Sequence, residues 1–285
     1  MVEIGSILVT GLMVSSVYAL IAIGFTLIYG LRGVLNLSHG ALLMIGAYTY
    51  LVSNRFLPKI GAFVAAIVVA GIASYVLYQG LVRFIEDDVV ITFLSTLLIA
   101  IILQQLFVVQ FSTAPRSLAP MVSGGIQIAG TRVRLYQIVA FALSWVALAL
   151  LWLFVRYTET GQSVLATSMT EKGARLSGIN VDYVNGVAWL LAGAFAGFAG
   201  VFIGSLQSTS PTMWVTALGL AFVIVTVGGV GSIKGSIVGA YLIGFLQTIT
   251  VTLGGANLRG MFSFALLIAI ILIRPQGLFG REFLE

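Results

Sequence analysis

The sequence has no cysteine and a single histidine, His39. That excludes disulfides, cysteine metal sites and thiol chemistry. A hydrolase working inside the membrane needs a nucleophile with a base, or a metal with several ligands. With no second histidine and no acid near His39, neither is available. Charge is scarce as well: only 8% of the 285 residues are Asp, Glu, Lys or Arg, against roughly 25% in a soluble domain. The net charge of +5 is spread between apolar runs and forms no basic block, which gives no support to nucleic-acid binding.

Acidic groups are missing from the places where ion-coupled carriers keep them. Glu3, Glu86, Asp87, Asp88, Glu159, Glu171, Asp182, Glu282 and Glu285 all fall at the ends of apolar runs or between them. A proton-coupled carrier usually needs an ionisable group at mid-membrane, and this chain offers no carboxylate there. Sodium coupling through the backbone of a broken helix remains an alternative, with the glycine-rich 228–235 stretch as its place. A phosphate-cradling loop is also lacking. In GGVGSIKGS, Ile233 precedes Lys234 and Gly235 follows it, whereas the motif needs glycine before the lysine and serine or threonine after it. The chain is therefore expected to be non-catalytic and to need no cofactor or metal.

What is there is apolar: 60% of the residues are hydrophobic. Between Ile4 and Tyr29 there is neither charge nor proline, a stretch longer than the roughly 20 residues that cross a bilayer core. It is too long for a cleaved secretory signal and lacks the basic start. About nine such runs follow one another, approximately 5–30, 36–53, 60–82, 89–111, 135–155, 183–206, 214–232, 235–253 and 260–273. Their continuous apolarity predicts helices and not the alternating strands of a barrel. The expected fold is all-α, a polytopic membrane protein with about 8–10 transmembrane helices in a single domain over 1–285. The runs 36–53 and 214–232 are short or interrupted by glycine and are candidates for re-entrant or broken helices.

Lys and Arg near the ends of spans favour the cytoplasm. With the C-terminus inside, Arg32, Arg83, Arg156, Lys172, Arg175, Lys234, Arg274 and Arg281 face the cytoplasm. Arg55, Lys59, Arg116, Arg132, Arg134 and Arg259 then lie outside, and 111–134 reads as an external loop. Gly193, Gly197, Gly200 and Gly204 share one face of a helix, and Gly231, Gly235 and Gly239 repeat that spacing. Small residues so placed let helix backbones approach closely in lipid, either within one subunit or against a partner.

The segment 156–182 is charged and lies between two strong spans. Ser168-Met169-Thr170-Glu171 fits a capping box, and Gly178 supplies a C-terminal stop. Together they predict a short helix from about Met169 to Ser177, lying on a protein surface or merely joining two spans.

EKGARLSGIN resembles the cytoplasmic loop of ABC importer permeases, in which a Glu-Ala-Ala triplet is followed after three residues by glycine. Here Lys172-Gly173-Ala174 occupies the triplet and Gly178 the glycine, with the acidic residue replaced. YALIAIGFTLIYGLRGVLNLSHGALLMIGAY, GGVGSIKGSIVGAYLIG and SFALLIAIILIRPQGLFGR resemble the permeases of branched-chain amino-acid ABC importers and are spread over most of the chain. The resemblance implies a permease in the cytoplasmic membrane paired with a second permease, a heterodimer being expected. It also implies two cytoplasmic ATPase subunits and an external solute-binding protein. Glu171, Lys172, Gly173, Ala174, Arg175, Leu176 and Gly178 would then couple the chain to an ATPase. Related permeases carry urea or short amides.

A zwitterionic solute needs hydrogen-bonding groups along its path, whereas lipid-facing positions do not. Asn36, His39, Ser95, Gln104, Thr226 and Gln247 are the candidates. For Asn36 and His39, near the expected cytoplasmic end of the second span, the competing role is a helix start, with Asn36 or Ser38 as cap and the imidazole hydrogen-bonded at the interface. For the glutamines it is glue between helices.

Overall fold

A computed structural model describes residues 4–128 and 131–280; Glu3, Arg281, Glu282 and Glu285 lie outside the described residues. The fold is all-α. Its membrane-embedded helices are α1 (Ile4–Arg32), α2 (His39–Ser53), α3 (Lys59–Gly80), α4 (Val89–Phe111), α5 (Leu135–Tyr157), α8 (Val181–Gln207), α9 (Met213–Gly228), α10 (Ile233–Gly254) and α11 (Met261–Ile273). The shorter α6 (Glu159–Met169) and α7 (Glu171–Leu176) follow α5. Among the described residues, seven helical segments are long and apolar enough to cross a membrane. Counted with the turn before it, over 256–273, α11 is one of the seven; the two helices left outside them, α2 with 15 residues and α9 with 16, are those the sequence marks as short or broken. At 1.5 Å per residue they span about 22–24 Å, less than the roughly 30 Å hydrocarbon core.

Contacts between distant residues sort the connections to two ends. At one, Arg83 Nη2 meets Asp182 Oδ2 at 2.8 Å, Leu31 packs with Val164 and Val184, and Leu278 N donates to Val227 O. At the other, Lys59 Nζ donates to Pro120 O, Tyr50 Oη donates to Ala119 O, and Arg116 and Thr209 exchange backbone hydrogen bonds. Among the described basic residues, Arg83 and Arg175 lie at the α6–α7 end, with the group assigned to the cytoplasm, and Lys59 and Arg116 at the other. The loop at the opposite end also holds two short antiparallel strands, β1 (Gly125–Ile128) and β2 (Thr131–Arg134), which apolar periodicity does not reveal.

Helices α1 and α8 form the buried centre, while α4 and α11 expose most of their surface. Leu98 and Val109 on α4 are among the many exposed apolar side chains, as a lipid-facing surface requires. The α8 glycines are used within the subunit. A Cβ on Gly197 would lie 2.5 Å from Ala70 Cβ and 2.7 Å from Ala66 O, so α3 and α8 touch backbone to backbone there. Gly200 turns instead to the backbone of α2 at Leu43, and Gly204 to Thr209 and Leu118. In the other set, Gly235 and Gly239 meet α9 at Gly228, but Gly231 departs from the expected helical face. It lies in the α9–α10 turn with φ +80°, a conformation that glycine adopts without penalty.

Candidate functional site

The run expected at 36–53 becomes helical only at His39. Gly33, with φ +66°, turns the chain after α1, and residues 34–38 run back along it. His39 Nε2 lies 3.1 Å from the carbonyl of Ile21, eleven residues before Arg32 and so about 16 Å back along α1. The start of α2 is therefore at mid-depth and not at the cytoplasmic end of the span where the sequence places it, because the chain folds back along α1 before the helix begins. Non-helical backbone survives there only when protein surrounds it. Val34, Asn36, Ser38 and His39 are all buried, and Leu37 N donates to Thr96 Oγ1 at 3.2 Å.

Several elements converge on this point. The edge of Phe25 meets the imidazole, ring centroids 5.8 Å apart. Gly40 sits directly on the Trp214 carbonyl at the start of α9. Trp214 Nε1 donates to Gln104 Oε1 on α4 at 2.5 Å. Asn36 Oδ1 accepts from Ser38 N at 3.0 Å and from Ser38 Oγ at 2.5 Å. Asn36, His39 and Gln104, chosen from the sequence, are thus gathered around one broken helix start. Trp214 was missed; its signal was an indole N–H in an apolar run, a group that seeks a partner when buried.

The other path candidates lie elsewhere. Gln247 is held in the α1–α10 seam, where Tyr18 Oη donates to its Oε1 at 2.8 Å. Thr26 and Ser236 pair at 2.5 Å along the same seam. Gln247 accordingly ties helices together at this place. Ser95 is half-buried on α4, one position from the buried stripe of Thr92, Thr96 and Ala100. Thr226 is half-buried near the α6–α7 end, where its carbonyl lies close to Gly277.

The charged segment forms two helices and not one. Thr170, in extended conformation, caps α7 by accepting from Gly173 N, while the Ser168 hydroxyl turns back to Leu165 O. The cap is thus two residues later than the capping-box reading, because α6 continues unbroken to Met169. Gly178 ends the element at φ +80°, and Ile179 N donates to Ala174 O at 3.0 Å. Lys172, Arg175 and Leu176 face outward, Leu176 being 81% exposed, while Ala174 faces the rest of the chain. Glu171 Oε1 accepts from Arg175 Nε at 2.9 Å; this hydrogen bond raises the guanidinium pKa, so Arg175 stays charged. The packing of Leu31 with Val164, Val184 and Ala188 joins α6 to α1 and α8.

The family described as "Branched-chain amino acid transport system / permease component" matches residues 7–271. The chain belongs to this family. It is 30% identical to the high-affinity branched-chain amino acid transport system permease protein LivH of Escherichia coli K12, over 96% of this chain and 95% of LivH. It is 28% identical to the permease protein BraD of Pseudomonas aeruginosa, over 98% of this chain and 96% of BraD. A further likeness, 32% identity over 40% of this chain and 36% of the relative, is to the ribose import permease protein RbsC of Escherichia coli K12. No solved structure matches. This permease is a multi-pass protein of the cytoplasmic membrane.

Proposed function

We propose that the chain is the membrane-spanning subunit of an ABC importer that moves branched-chain amino acids into the cell. Partner ATPase subunits drive it, and it is itself non-catalytic. The observation that carries the reading is end-to-end correspondence with LivH and BraD, whose names state that transport. The α6–α7 element supports it: charged residues and an exposed leucine stand outside the spans and connect inward through Val164 to α1 and α8. A second permease chain, two ATPases and an external solute-binding protein complete the assembly. The open cleft of about 630 Å³ lined by Ser123, Gly124, Arg134 and Tyr136, at the end opposite α6–α7, suits delivery of solute. The likeness to RbsC concerns under half of each chain and supports the importer class without naming the solute.

The test is purification of the tagged chain in mild detergent, with identification of what stays bound. Leu176→Glu removes an exposed apolar contact without disturbing the interior, because Leu176 packs on nothing in the chain's core. An ATPase recovered with the wild type and lost with Leu176→Glu is the expected result. If the chain purifies alone and takes up solute on an ion gradient, the reading fails.

A further inference from the structure

We infer that the start of α2 is a binding site for the ammonium and carboxylate of an α-amino acid. This rests on the permease reading and assigns its substrate contacts. The start of α2 is at mid-depth, and no side chain caps it. A helix start presents free amide N–H groups and the positive end of its dipole, which together favour an anion. Broken transporter helices aim such ends at substrate carboxylates.

Two side chains independently point to a ligand. Asn36 is 2% exposed, and its Nδ2 has no hydrogen-bond partner. Its Oδ1 is engaged by Ser38, which seats the amide at the helix start. His39, fully buried, leaves Nδ1 without a partner. The carbonyl of Ile21 only accepts, so Nε2 carries the proton and Nδ1 presents a bare lone pair. Buried polar groups left unpaired are costly and rare. A donor on Asn36, the helix amides and one acceptor on His39 match a carboxylate next to an ammonium. The ring of Phe25 beside the imidazole and Leu218 beside Gly40 offer an apolar wall to the substrate's side chain. In this structure the site is closed, because Gly40 rests on the Trp214 carbonyl; withdrawing the start of α9 opens it.

His39 is the only histidine, so imidazole-15N labelling reports this site alone. The labelled chain, assembled in lipid nanodiscs with partners produced without label, is measured by NMR before and after saturating L-leucine, at rest and during ATP turnover. The Nδ1 resonance is expected to move upfield with L-leucine and to stay in place with isovalerate, which lacks the ammonium. Asn36→Asp, which sets a negative charge against the carboxylate, is expected to lower leucine uptake at least about tenfold while ATPase assembly persists. An unmoved Nδ1 together with wild-type uptake by Asn36→Asp, in an assembly that transports leucine, overturns the site and leaves the permease reading intact. Absence of both uptake and a copurifying ATPase overturns the permease reading itself. Should Asn36→Asp fail to fold, the wild-type spectra decide alone.

Discussion

Adding one methyl group at two different helical glycines is expected to shift stability in opposite directions. At Gly197 a Cβ would fall 2.5 Å from Ala70 Cβ and 2.7 Å from Ala66 O. Carbon atoms rest about 3.5–4.0 Å apart, so Gly197→Ala forces α3 and α8 apart by about 1 Å. A gap of that size forfeits a quarter to a half of each dispersion contact it opens. Relief on the other side is blocked, because Gly46 of α2 lies against the Gly197 backbone. Overpacking of this kind costs about 1–3 kcal/mol, while removing a mid-helix glycine returns up to about 1 kcal/mol. The net loss is roughly 0–2 kcal/mol, and at about 2–4 °C per kcal/mol the midpoint falls by up to roughly 8 °C. A Cβ at Gly219 meets nothing within 4 Å. Gly219→Ala is therefore expected to leave the midpoint unchanged or raise it by about 1–4 °C. Fluorescence-detected size exclusion after heating, in one detergent, measures both. If Gly197→Ala raises the midpoint, or the two variants shift together, close backbone packing does not hold this fold.

The Trp214–Gln104 bond should be detectable as a coupling. Gln104→Leu strands the indole N–H and is expected to cost about 1–3 kcal/mol, and a double-mutant cycle with Trp214→Phe should return at least about 0.6 kcal/mol of interaction; strictly additive losses would refute the contact. The Arg83–Asp182 pair is half-exposed on both sides, so Arg83→Ala is expected to destabilise by no more than about 1 kcal/mol. Most of that difference should vanish in 1 M salt, and a larger, salt-independent loss would show that the pair is structural.

The membrane class, the helices and their rough limits were legible in the sequence, because a lipid solvent leaves a long apolar run few choices. Every backbone amide must be paired within the segment, and the length of a span follows from bilayer thickness. The same logic exposed 36–53 and 214–232 as runs too short to behave as ordinary spans. Where those runs break, and at what depth, was not legible. The sequence offers Asn36 or Ser38 as the cap; that the helix begins after Ser38, opposite Ile21 at mid-depth, depends on Gly33 turning the chain and on α1, α4 and α9 closing around it. Local signals also misplaced the α7 cap by two residues, since Ser168 and Thr170 both satisfy a cap pattern and only the continuation of α6 decides between them.

Among the site candidates, the sequence could name polar residues on apolar runs but could not say which would meet. Gln104 and Gln247 look alike in it. Tertiary packing sends Gln104 to Trp214, beside the broken start of α2, and Gln247 to Tyr18 in the α1–α10 seam. The sequence by itself determined the solvent this protein lives in and its helical class, because composition and run length are local properties, and it carried its family in the stretches that resemble branched-chain amino-acid permeases. The depth of α2, the partners of each glutamine and the unpaired atoms of Asn36 and His39 were decided only by the tertiary structure. Those features arise from contacts between residues as many as 229 positions apart, which no local pattern encodes.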